Sequence, residues 1–497
     1  MNSMQMECAS ATTWTNWNVI NWRKVEHGVK SLQTRIVKAV KAKHYHKAKS
    51  LVHLLTHSFY GKLLAILRVT TNKGSRTCGV DKVLWNTPLR RWKGVEQLTV
   101  KGYRAKPLRR VSIKKKNGKL RHLGIPTIRD RAMQALFKLG LDPIAETTAD
   151  PNSYGFRVKR SCADAIEQCH NVLGKRASSK IILEADITGC FDNISHQWIL
   201  QHIPLNKKVL AQWLKCGYLE KGQWFLTQAG TPQGGIISPT IANMVLDGPE
   251  TEIQRSACPI RYRNGRCFNP LKVYFVRYAD DFVVTCSNAE YLQEVIQPQI
   301  STFLAERGLQ LSQEKTKMTH IDKGFDFLGF NVRKYKGKCL TKPKKGSVKS
   351  IYASIRQCVT SNKTMTQKQL IRLIKPKIKG WANFYRHSAS KRTFALLDDK
   401  MFKLLWRWAC RRHPNKGKHW VKAKYFKTKG NQSWVFMATD KSKQYILPRF
   451  DATRVVRHNK IKCLANPYDK DWDNYFEKRA AKRTVKQRNI STLATAI

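Results

Sequence analysis

Two adjacent aspartates between two apolar runs constrain the fold of this chain more than any other feature. The stretch FVRYADDFVV occupies residues 275–284, and the residues on either side of the acids favour β-strands. The pattern predicts a hairpin that turns near Ala279–Asp281, with Asp280 and Asp281 at its tip. Adjacent carboxylates repel each other and lose hydration on burial, so such a tip either stays solvated or holds a cation. This stretch alone leaves both alternatives open, because aspartate also favours exposed turns.

The charge of the chain indicates a polyanionic partner. The chain has 497 residues, with 93 Lys and Arg against 33 Asp and Glu, which gives a formal net charge of +60. An ordinary protein surface mixes both signs, so an excess of this size favours nucleic acid as the partner. No run approaches the roughly 20 apolar residues that a membrane-spanning helix needs, so no membrane partner is expected.

The cysteines and the N-terminal sequence indicate a cytoplasmic protein. The thirteen cysteines form no Cys-x-x-Cys pair, so neither a zinc site nor a disulfide framework is predicted. The N-terminal residues contain no apolar segment of the kind that directs secretion. We therefore expect free thiols in a reducing cytoplasm.

A third aspartate ends another apolar strand. Asp186 follows KIILEA, and a strand placed beside the hairpin would bring this carboxylate close to Asp280. Three carboxylates in one small space need cations to neutralise them, and hard oxygen ligands suit Mg²⁺. Two such ions about 4 Å apart would clamp the attacking and leaving oxygens of a phosphoryl transfer. Together with the net charge, the three acids predict a metal site that acts on nucleic acid.

The remaining pattern predicts an α/β or α+β core between two helical regions. Residues 29–68 have helical periodicity, and residues 96–330 alternate strand-like and helical runs. Residues 109–126 are predicted to form a hairpin, and residues 129–146 an amphipathic helix that Pro143 disturbs. Residues 331–380 carry fifteen Lys or Arg and no acid, and residues 334–347 resemble a linker. Further on, an apolar stripe at helical spacing predicts a packed helix: Leu397, Met401, Leu404, Leu405 and Trp408.

A set of motifs in fixed order resembles the reverse transcriptases encoded by group II introns. LRHLGIP, SYGFR, ADITGCFDNI, GTPQGGIISP, RYADD and FDFLGF resemble the polymerase blocks of that family. GWANFYRH and LWRWACRRHP resemble its thumb, the maturase or X domain, and residues 460–479 resemble the start of its DNA-binding region. The resemblance implies an α+β right-hand polymerase whose fingers and palm, with an antiparallel sheet, precede a helical thumb/X domain. The implied domains are an RNA-binding N-terminal extension (1–70), fingers and palm (71–335), thumb/X domain (336–455) and DNA-binding region (456–497).

The resemblance also implies a role for individual residues. Asp186, Asp280 and Asp281 match the catalytic acids, and Asp186, Asp280 and the backbone carbonyl of Ile187 match the ligands of two Mg²⁺ ions. The residues that match the nucleotide site are Lys115 and Arg121 on the triphosphate, Phe191 as the aromatic gate at the sugar, and Gln233 and Gly234 at the nucleotide and primer end.

The function implied by the resemblance is RNA-directed DNA synthesis combined with maturase activity. Such a protein binds its intron RNA as a ribonucleoprotein, assists splicing and reverse splicing, and supports retrohoming by target-primed reverse transcription. Its partners would be the intron RNA, target DNA, a primer and dNTPs. No C-terminal cluster of paired cysteines and histidines is present, so no endonuclease activity of its own is expected.

Two other functions remain open at this point. The first is an RNA-binding splicing factor whose polymerase has lapsed, and the intact acids and PQGG loop argue against it. The second is another retroelement polymerase, such as one involved in phage defence, and the X-like segment argues against that.

Overall fold

The N-terminal part of the chain is helical. The computed structural model describes residues 16–114, 118, 120–257, 261–263, 266–440 and 443–481. Its first helices are α1 (Trp22–Lys41), α2 (Tyr45–His57), α3 (Phe59–Thr71) and α4 (Pro88–Gln97), so the helical prediction for residues 29–68 is confirmed. Among the described residues, no single helix is long and apolar enough to cross a membrane, whereas α2 and α3 taken together, bent by 68°, reach that length and composition.

Residues 108–320 alternate strands and helices, as their sequence pattern predicts. The strands are β1 (Leu108–Lys114), β2 (Leu120–Ile125), β3 (Ile181–Ala185), β4 (Tyr218–Glu220), β5 (Gln223–Phe225), β6 (Arg261–Arg263), β7 (Arg266–Phe268), β8 (Tyr274–Tyr278), β9 (Asp281–Cys286) and β10 (Lys317–His320). The helices are α5 (Ile128–Thr148), α6 (Cys162–Leu173), α7 (Cys190–Asn193), α8 (His196–His202), α9 (Lys207–Lys215), α10 (Ser238–Leu246), α11 (Pro249–Ala257), α12 (Ala289–Tyr291) and α13 (Gln297–Ala305).

Helix α5 runs unbroken through Pro143, so the prediction that this proline disturbs the helix is wrong. Proline has no amide hydrogen, which leaves the carbonyl of Leu139, four residues earlier, without its helical donor. The side-chain amide of Gln33 on α1 donates to that carbonyl at 2.8 Å instead. Helix α5 is also buried on nearly every side rather than on one face, because α1, α2, α3 and α10 surround it.

An antiparallel sheet in the order β10–β3–β9–β8 forms the centre of the molecule. Because side chains alternate along a strand, each face of this sheet packs against a different core. Leu183, Phe282 and Val284 join a core with the N-terminal helices and α5. Ile182 and Val283 join a second core with α6 and the later helices. A separate sheet, β2–β1–β4–β5, contains the predicted hairpin of residues 109–126, whose Asn117 lies outside the described residues.

Residues 334–347 are not a linker. Strands β11 (Phe325–Phe327), β12 (Phe330–Tyr335) and β13 (Lys338–Pro343) form a sheet, and Tyr335 pairs with Lys338 across the β12–β13 turn. The lysines conceal a period-two pattern in which Cys339, Thr341 and Pro343 are buried. Composition therefore gave the wrong interpretation where alternation would have given the right one.

The C-terminal third consists of helices and a small sheet. The elements are α14 (Lys345–Ser361), α15 (Gln367–Tyr385), α16 (Lys391–Arg411), α17 (Lys418–Tyr425), β14 (Phe426–Lys429), β15 (Gln432–Asp440) and β16 (Lys443–Ile446). All members of the predicted apolar stripe on α16 are buried, which confirms that stripe as core.

The last described segment, residues 456–481, returns to the body of the molecule. The buried carboxylate of Asp164 on α6 accepts hydrogen bonds from His458 Nε2 (2.9 Å), the amide of Ile461 (2.8 Å) and Arg479 Nη2 (3.0 Å). Burial alone would raise the pKa of Asp164, but the hydrogen bond and charge of His458, together with hydrogen bonds from Ser161 and the Ile461 amide, outweigh it and hold the pKa at about 2. The ion pair Lys30–Asp473 (2.8 Å) ties the same segment to α1.

We expect Asp164→Ala to destabilise the protein by about 3 kcal/mol, because four donors, including Ser161 Oγ, lose their acceptor in buried or partly buried positions. Urea unfolding measures this loss, and proteolysis within residues 456–481 should accelerate. A carboxylate with a depressed pKa stabilises the fold above about pH 4 and loses that effect as the pH falls toward 2, so the difference between the two proteins should shrink over this window. Asp399→Ala, which removes an exposed ion pair with Lys403, is the control. Equal unfolding midpoints for Asp164→Ala and the wild type would contradict the prediction.

Candidate active site

The central sheet brings the three predicted acids together. The β3–β9 register pairs Ala185 with Phe282, and one further step along both strands sets Asp186 opposite Asp281. Tyr278 pairs with Asp281 across the predicted hairpin, which leaves Ala279 and Asp280 as its turn. The prediction that two distant segments meet at this point is therefore confirmed geometrically.

The turn that carries Asp280 has an unusual backbone. Ala279 has a φ of +58°, a left-handed conformation that costs a non-glycine residue about 1 kcal/mol. Gly155, from the SYGFR motif, lies directly against this turn, and a Cβ at position 155 would clash with the backbone nitrogen of Ala279. The motif thus contributes a close backbone approach that holds the turn in place.

Arg277 supports the turn from within the sheet. Its side chain is only 1% exposed and forms an ion pair with Asp247. The same guanidinium donates to the carbonyl of Ala279 and to Asn243 Oδ1, both at 3.3 Å. A buried charged side chain persists only with such partners, so Arg277 fixes the position of the turn relative to α10.

The carboxylates crowd one another electrostatically. Burial raises the pKa of Asp280, and the negative charge of Asp186 raises it further. Asp281 is partly exposed, yet desolvation by the surrounding protein, followed by the charges of Asp280 and Asp186, raises its pKa to about 7. The charges of neighbouring acids therefore make the charged forms of Asp280 and Asp281 less favourable, and a cation placed beside them would reverse this effect.

Lys315 supplies a positive charge at this site. Its ammonium group contacts Asp186 Oδ2, although the side chain is 65% exposed. The turn that begins at Ser312 is joined to the strand end, because the amide of Ser312 donates to the carbonyl of Asp186 at 2.8 Å. Lys315 was not predictable as a site residue, because nothing in the local sequence pattern distinguishes it from the many other lysines.

The donor set suits a divalent metal ion. Ile187 forms an antiparallel bridge with Leu311. The two hydrogen bonds of this bridge involve the residues on either side of Ile187: the amide of Thr188 donates to the carbonyl of Gln310, and the carbonyl of Asp186 accepts from the amide of Ser312. The carbonyl of Ile187 itself therefore points away from residues 310–312. That carbonyl and the carboxylates are hard oxygen ligands. In the described part of the chain, no group of three or more acidic, histidine or cysteine side chains is already arranged around a metal position, and the Lys315 ammonium neutralises Asp186 in this arrangement.

Two of the predicted nucleotide-binding residues contact each other beside the acids. Arg121 Nε donates to Gln233 Oε1 at 3.0 Å, and Gln233 Nε2 donates to Asp192 at 3.3 Å. The charge of Arg121 also lowers the pKa of Asp280, although burial dominates that shift. Gly234 has a φ of +123°, and a Cβ there would lie 2.8 Å from the carbonyl oxygen of Gly124. Lys115 lies outside the described residues.

Phe191 lies five residues after Asp186, on the short helix α7. Its ring is partly buried against the first core, and its carbonyl accepts a hydrogen bond from the amide of Thr231 at 2.7 Å. The ring of Phe156 packs against it edge to face, with the centroids 6.2 Å apart. Phe191 therefore connects the end of β3 to the GTPQGG loop.

Three family models match consecutive parts of the chain. "N-terminal domain of reverse transcriptase" matches residues 17–98, "Reverse transcriptase (RNA-dependent DNA polymerase)" residues 113–332, and "Group II intron, maturase-specific domain" residues 348–426. Protein YkfC of Escherichia coli (strain K12) is 30% identical over 320 residues, which cover 58% of this chain and 83% of that protein. The chain belongs to the group II intron-encoded reverse transcriptases. Its α+β architecture is a reverse-transcriptase-like fold, and enzymes of this family generally use divalent metal ions.

Other relatives of this reverse transcriptase match it over shorter shares of their length. The group II intron-encoded protein LtrA of Lactococcus lactis subsp. cremoris is 30% identical over 374 residues. The match covers 62% of each protein, so the chain spans less than two thirds of the length of LtrA. A structure of telomerase from Candida albicans matches with a TM-score of 0.37 at 11% identity, covering 65% of this chain and 67% of that chain.

Proposed function

We propose that this chain is an RNA-directed DNA polymerase that also acts as a maturase for its intron RNA. The observation that carries the proposal is the convergence of Asp186, Asp280 and Asp281 at one end of the central sheet, beside Arg121 and Gln233. The reaction is attack by the 3′-hydroxyl of a primer on the α-phosphate of a dNTP, with pyrophosphate as the leaving group. The matched polymerase and maturase regions of the same chain support the combination of activities.

The acids and the residues beside them have different proposed roles in this reaction. Asp186, Asp280 and the carbonyl of Ile187 would hold two Mg²⁺ ions, which, when bound, activate the primer hydroxyl and stabilise the leaving charge. Asp281 is the less direct acid and contributes negative charge to the site. Lys315, which is largely exposed, becomes available to the phosphates once Asp186 has another cation as its partner.

The proposed nucleotide site combines residues of β2, α7 and the PQGG loop. Arg121 on β2 binds triphosphate oxygens bidentately, and Lys115, six residues earlier in the sequence, contributes a second cation. Gln233 and Gly234 contact the nucleotide and the primer end, where the backbone of the PQGG loop approaches closely. Phe191 excludes a 2′-hydroxyl by its bulk and so selects deoxynucleotides.

The proposed domains follow the right-hand arrangement. Residues 1–70 form an RNA-binding N-terminal extension, the fingers and palm follow from residue 71, the thumb/X domain extends to residue 455, and residues 456–497 form the DNA-binding region. A palm boundary at residue 335 would divide the β12–β13 hairpin, so we propose that the thumb begins after Pro343, where β13 ends. Within the last region, exposed side chains are available to DNA, among them Lys462, Lys470 and Lys478.

The partners would be the intron RNA, held as a ribonucleoprotein, the target DNA, a primer and dNTPs. Bound to the intron, the protein would assist splicing and reverse splicing and support retrohoming by target-primed reverse transcription. Helix α15 carries exposed cations suited to the RNA backbone, among them Lys375 and Lys379.

We expect the affinity for RNA to fall steeply with salt. If about six phosphates are neutralised, the binding constant should drop roughly 10³-fold between 50 and 200 mM monovalent salt, because bound counterions are released on binding. Filter binding at several salt concentrations measures the slope. Replacing Lys375 and Lys379 with glutamine should reduce that slope by about one for each phosphate that the variant no longer neutralises. A flat response in the wild-type protein would contradict the electrostatic basis of binding.

One experiment tests the proposal against both alternatives. The purified protein is incubated with Mg²⁺, a primed RNA template and dNTPs, and the incubation is repeated with the flanking intron transcript to measure splicing. Primer extension together with faster splicing supports the proposal. Splicing without extension identifies a splicing factor whose polymerase has lapsed, and extension without any effect on splicing identifies another kind of retroelement polymerase.

A further inference from the structure

Phe156 combines two features that are each unusual for a phenylalanine. Its φ is +58°, in the left-handed region that few non-glycine residues occupy, and its side chain is 52% exposed. A strained backbone conformation persists only where the surrounding structure imposes it, and such strain concentrates at functional sites. We therefore expect the residues around Phe156 to impose this conformation.

Both neighbours of Phe156 are held firmly. The carbonyl of Gly155 accepts a hydrogen bond from Asn243 Nδ2 at 2.7 Å, and its α-carbon lies against the turn at Ala279. On the other side, the guanidinium of Arg157 forms an ion pair with Glu146 and also donates to the carbonyls of residues 150 and 153. With both flanks anchored to buried groups, the backbone of Phe156 follows their geometry.

The imposed conformation directs the ring toward Phe191. The two ring planes meet at 83° with centroids 6.2 Å apart, which is the favourable edge-to-face arrangement of an aromatic pair. Phe191 packs against the first core, whereas the Phe156 ring that contacts it is about half exposed. Gly155 and Phe156 thus connect the turn at Ala279 and Asp280 to the ring of Phe191.

We propose that Phe156 is a positioning residue that fixes the ring of Phe191 and thereby sets the discrimination between deoxynucleotides and ribonucleotides. The inference rests on the proposed function, in which Phe191 is the sugar gate. A gate excludes a hydroxyl only while its ring stays in one place, because a ring that rotates aside admits the larger sugar. The edge-to-face contact holds the ring, and an interaction of that kind corresponds to roughly 2- to 10-fold in an equilibrium.

The test measures single-nucleotide incorporation opposite one template base on a primed RNA. The ratio of kcat/KM for a dNTP to that for the matching rNTP is compared among wild-type protein, Phe156→Ala, Phe156→Leu, Phe156→Tyr and Phe191→Ala, and the double variant with alanine at both positions. Phe59→Ala is the matched control, because Phe59 is also partly exposed and also packs edge to face, against Trp92 on α4.

We expect Phe156→Ala and Phe156→Leu to lower the ratio roughly 3- to 10-fold, mainly by raising rNTP incorporation. Phe156→Tyr keeps the aromatic edge and should retain the wild-type ratio. In the double variant the ratio should equal that of Phe191→Ala alone, because Phe156 affects the ratio only by positioning the ring of Phe191. Phe59→Ala should leave the ratio unchanged, and thermal melting establishes that each variant is folded.

Three outcomes would overturn the inference. Equal losses of dNTP and rNTP incorporation in Phe156→Ala would show a merely structural role, and independent effects in the double variant would show that Phe156 does not act through Phe191. An unchanged ratio in Phe191→Ala would remove the gate itself. Failure of the wild-type protein to extend the primer with dNTPs would instead refute the proposed function, so the two kinds of failure are distinguishable.

Discussion

Asp280→Asn is expected to lower primer extension on a primed RNA by roughly 10³-fold or more. The substitution keeps the shape of the side chain but removes the negative charge from the centre of the acidic cluster, and with it a ligand for the divalent ions that stabilise the transition state. Steady-state extension assays with Mg²⁺ and dNTPs measure the loss. Asp399→Asn, which changes an exposed acid on α16, is the matched control and should retain full activity.

The same variant should separate catalysis from stability and from RNA binding. Because burial and Asp186 both raise the pKa of Asp280, removal of its charge relieves repulsion, and the melting temperature should stay equal or rise slightly. Intron RNA binding and splicing should persist, since they are proposed to use the N-terminal helices and the thumb. Normal extension by a folded Asp280→Asn protein would show that the metal-site assignment is wrong.

Phe191→Ala is expected to lower the preference for dNTPs over rNTPs by about 10²-fold. Truncation of the ring opens the space that a 2′-hydroxyl would occupy, so discrimination based on excluded volume is lost while the acids remain in place. Single-nucleotide incorporation with each sugar measures the ratio. The conservative control is Phe191→Tyr, which keeps the ring and should retain selectivity.

The outcome of that experiment distinguishes a gate from a core residue. Phe191 is partly buried against the first core, so a purely structural role would reduce stability and both incorporation rates together. Unchanged selectivity in a folded Phe191→Ala protein would remove Phe191 from the gate role. The melting temperature of the variant reports any structural cost separately.

Signals carried by a few neighbouring residues were predictable from the sequence. The hairpin at Asp280 and Asp281 and the strand that ends before Asp186 each follow from a short apolar run next to a polar residue, and the structure contains both. The helical stripe on α16 was equally local and is confirmed. By contrast, the lysine-rich residues 334–347 suggested a linker, because composition conceals the alternation that folds them into a hairpin.

The contacts that depend on distant residues were not predictable. Lys315 reaches Asp186 from 129 positions away in the chain, and no local pattern marks it among so many lysines. Gln33 satisfies the carbonyl that Pro143 leaves without a donor, 106 positions away from Leu139. The rule that proline disturbs a helix considers only the helix, whereas a neighbouring helix supplied the missing hydrogen bond.

The sequence by itself determined which residue types stand at the ends of which strands, because β-strand and turn preferences act over a few residues. The tertiary structure decided which of those ends meet, which lysine faces the acids and how Gly155 and Phe156 approach the turn. These features depend on the register of β3 against β9 and on close backbone packing at Gly155. Register and packing arise from the simultaneous fit of many distant side chains, and no short stretch of sequence encodes that fit.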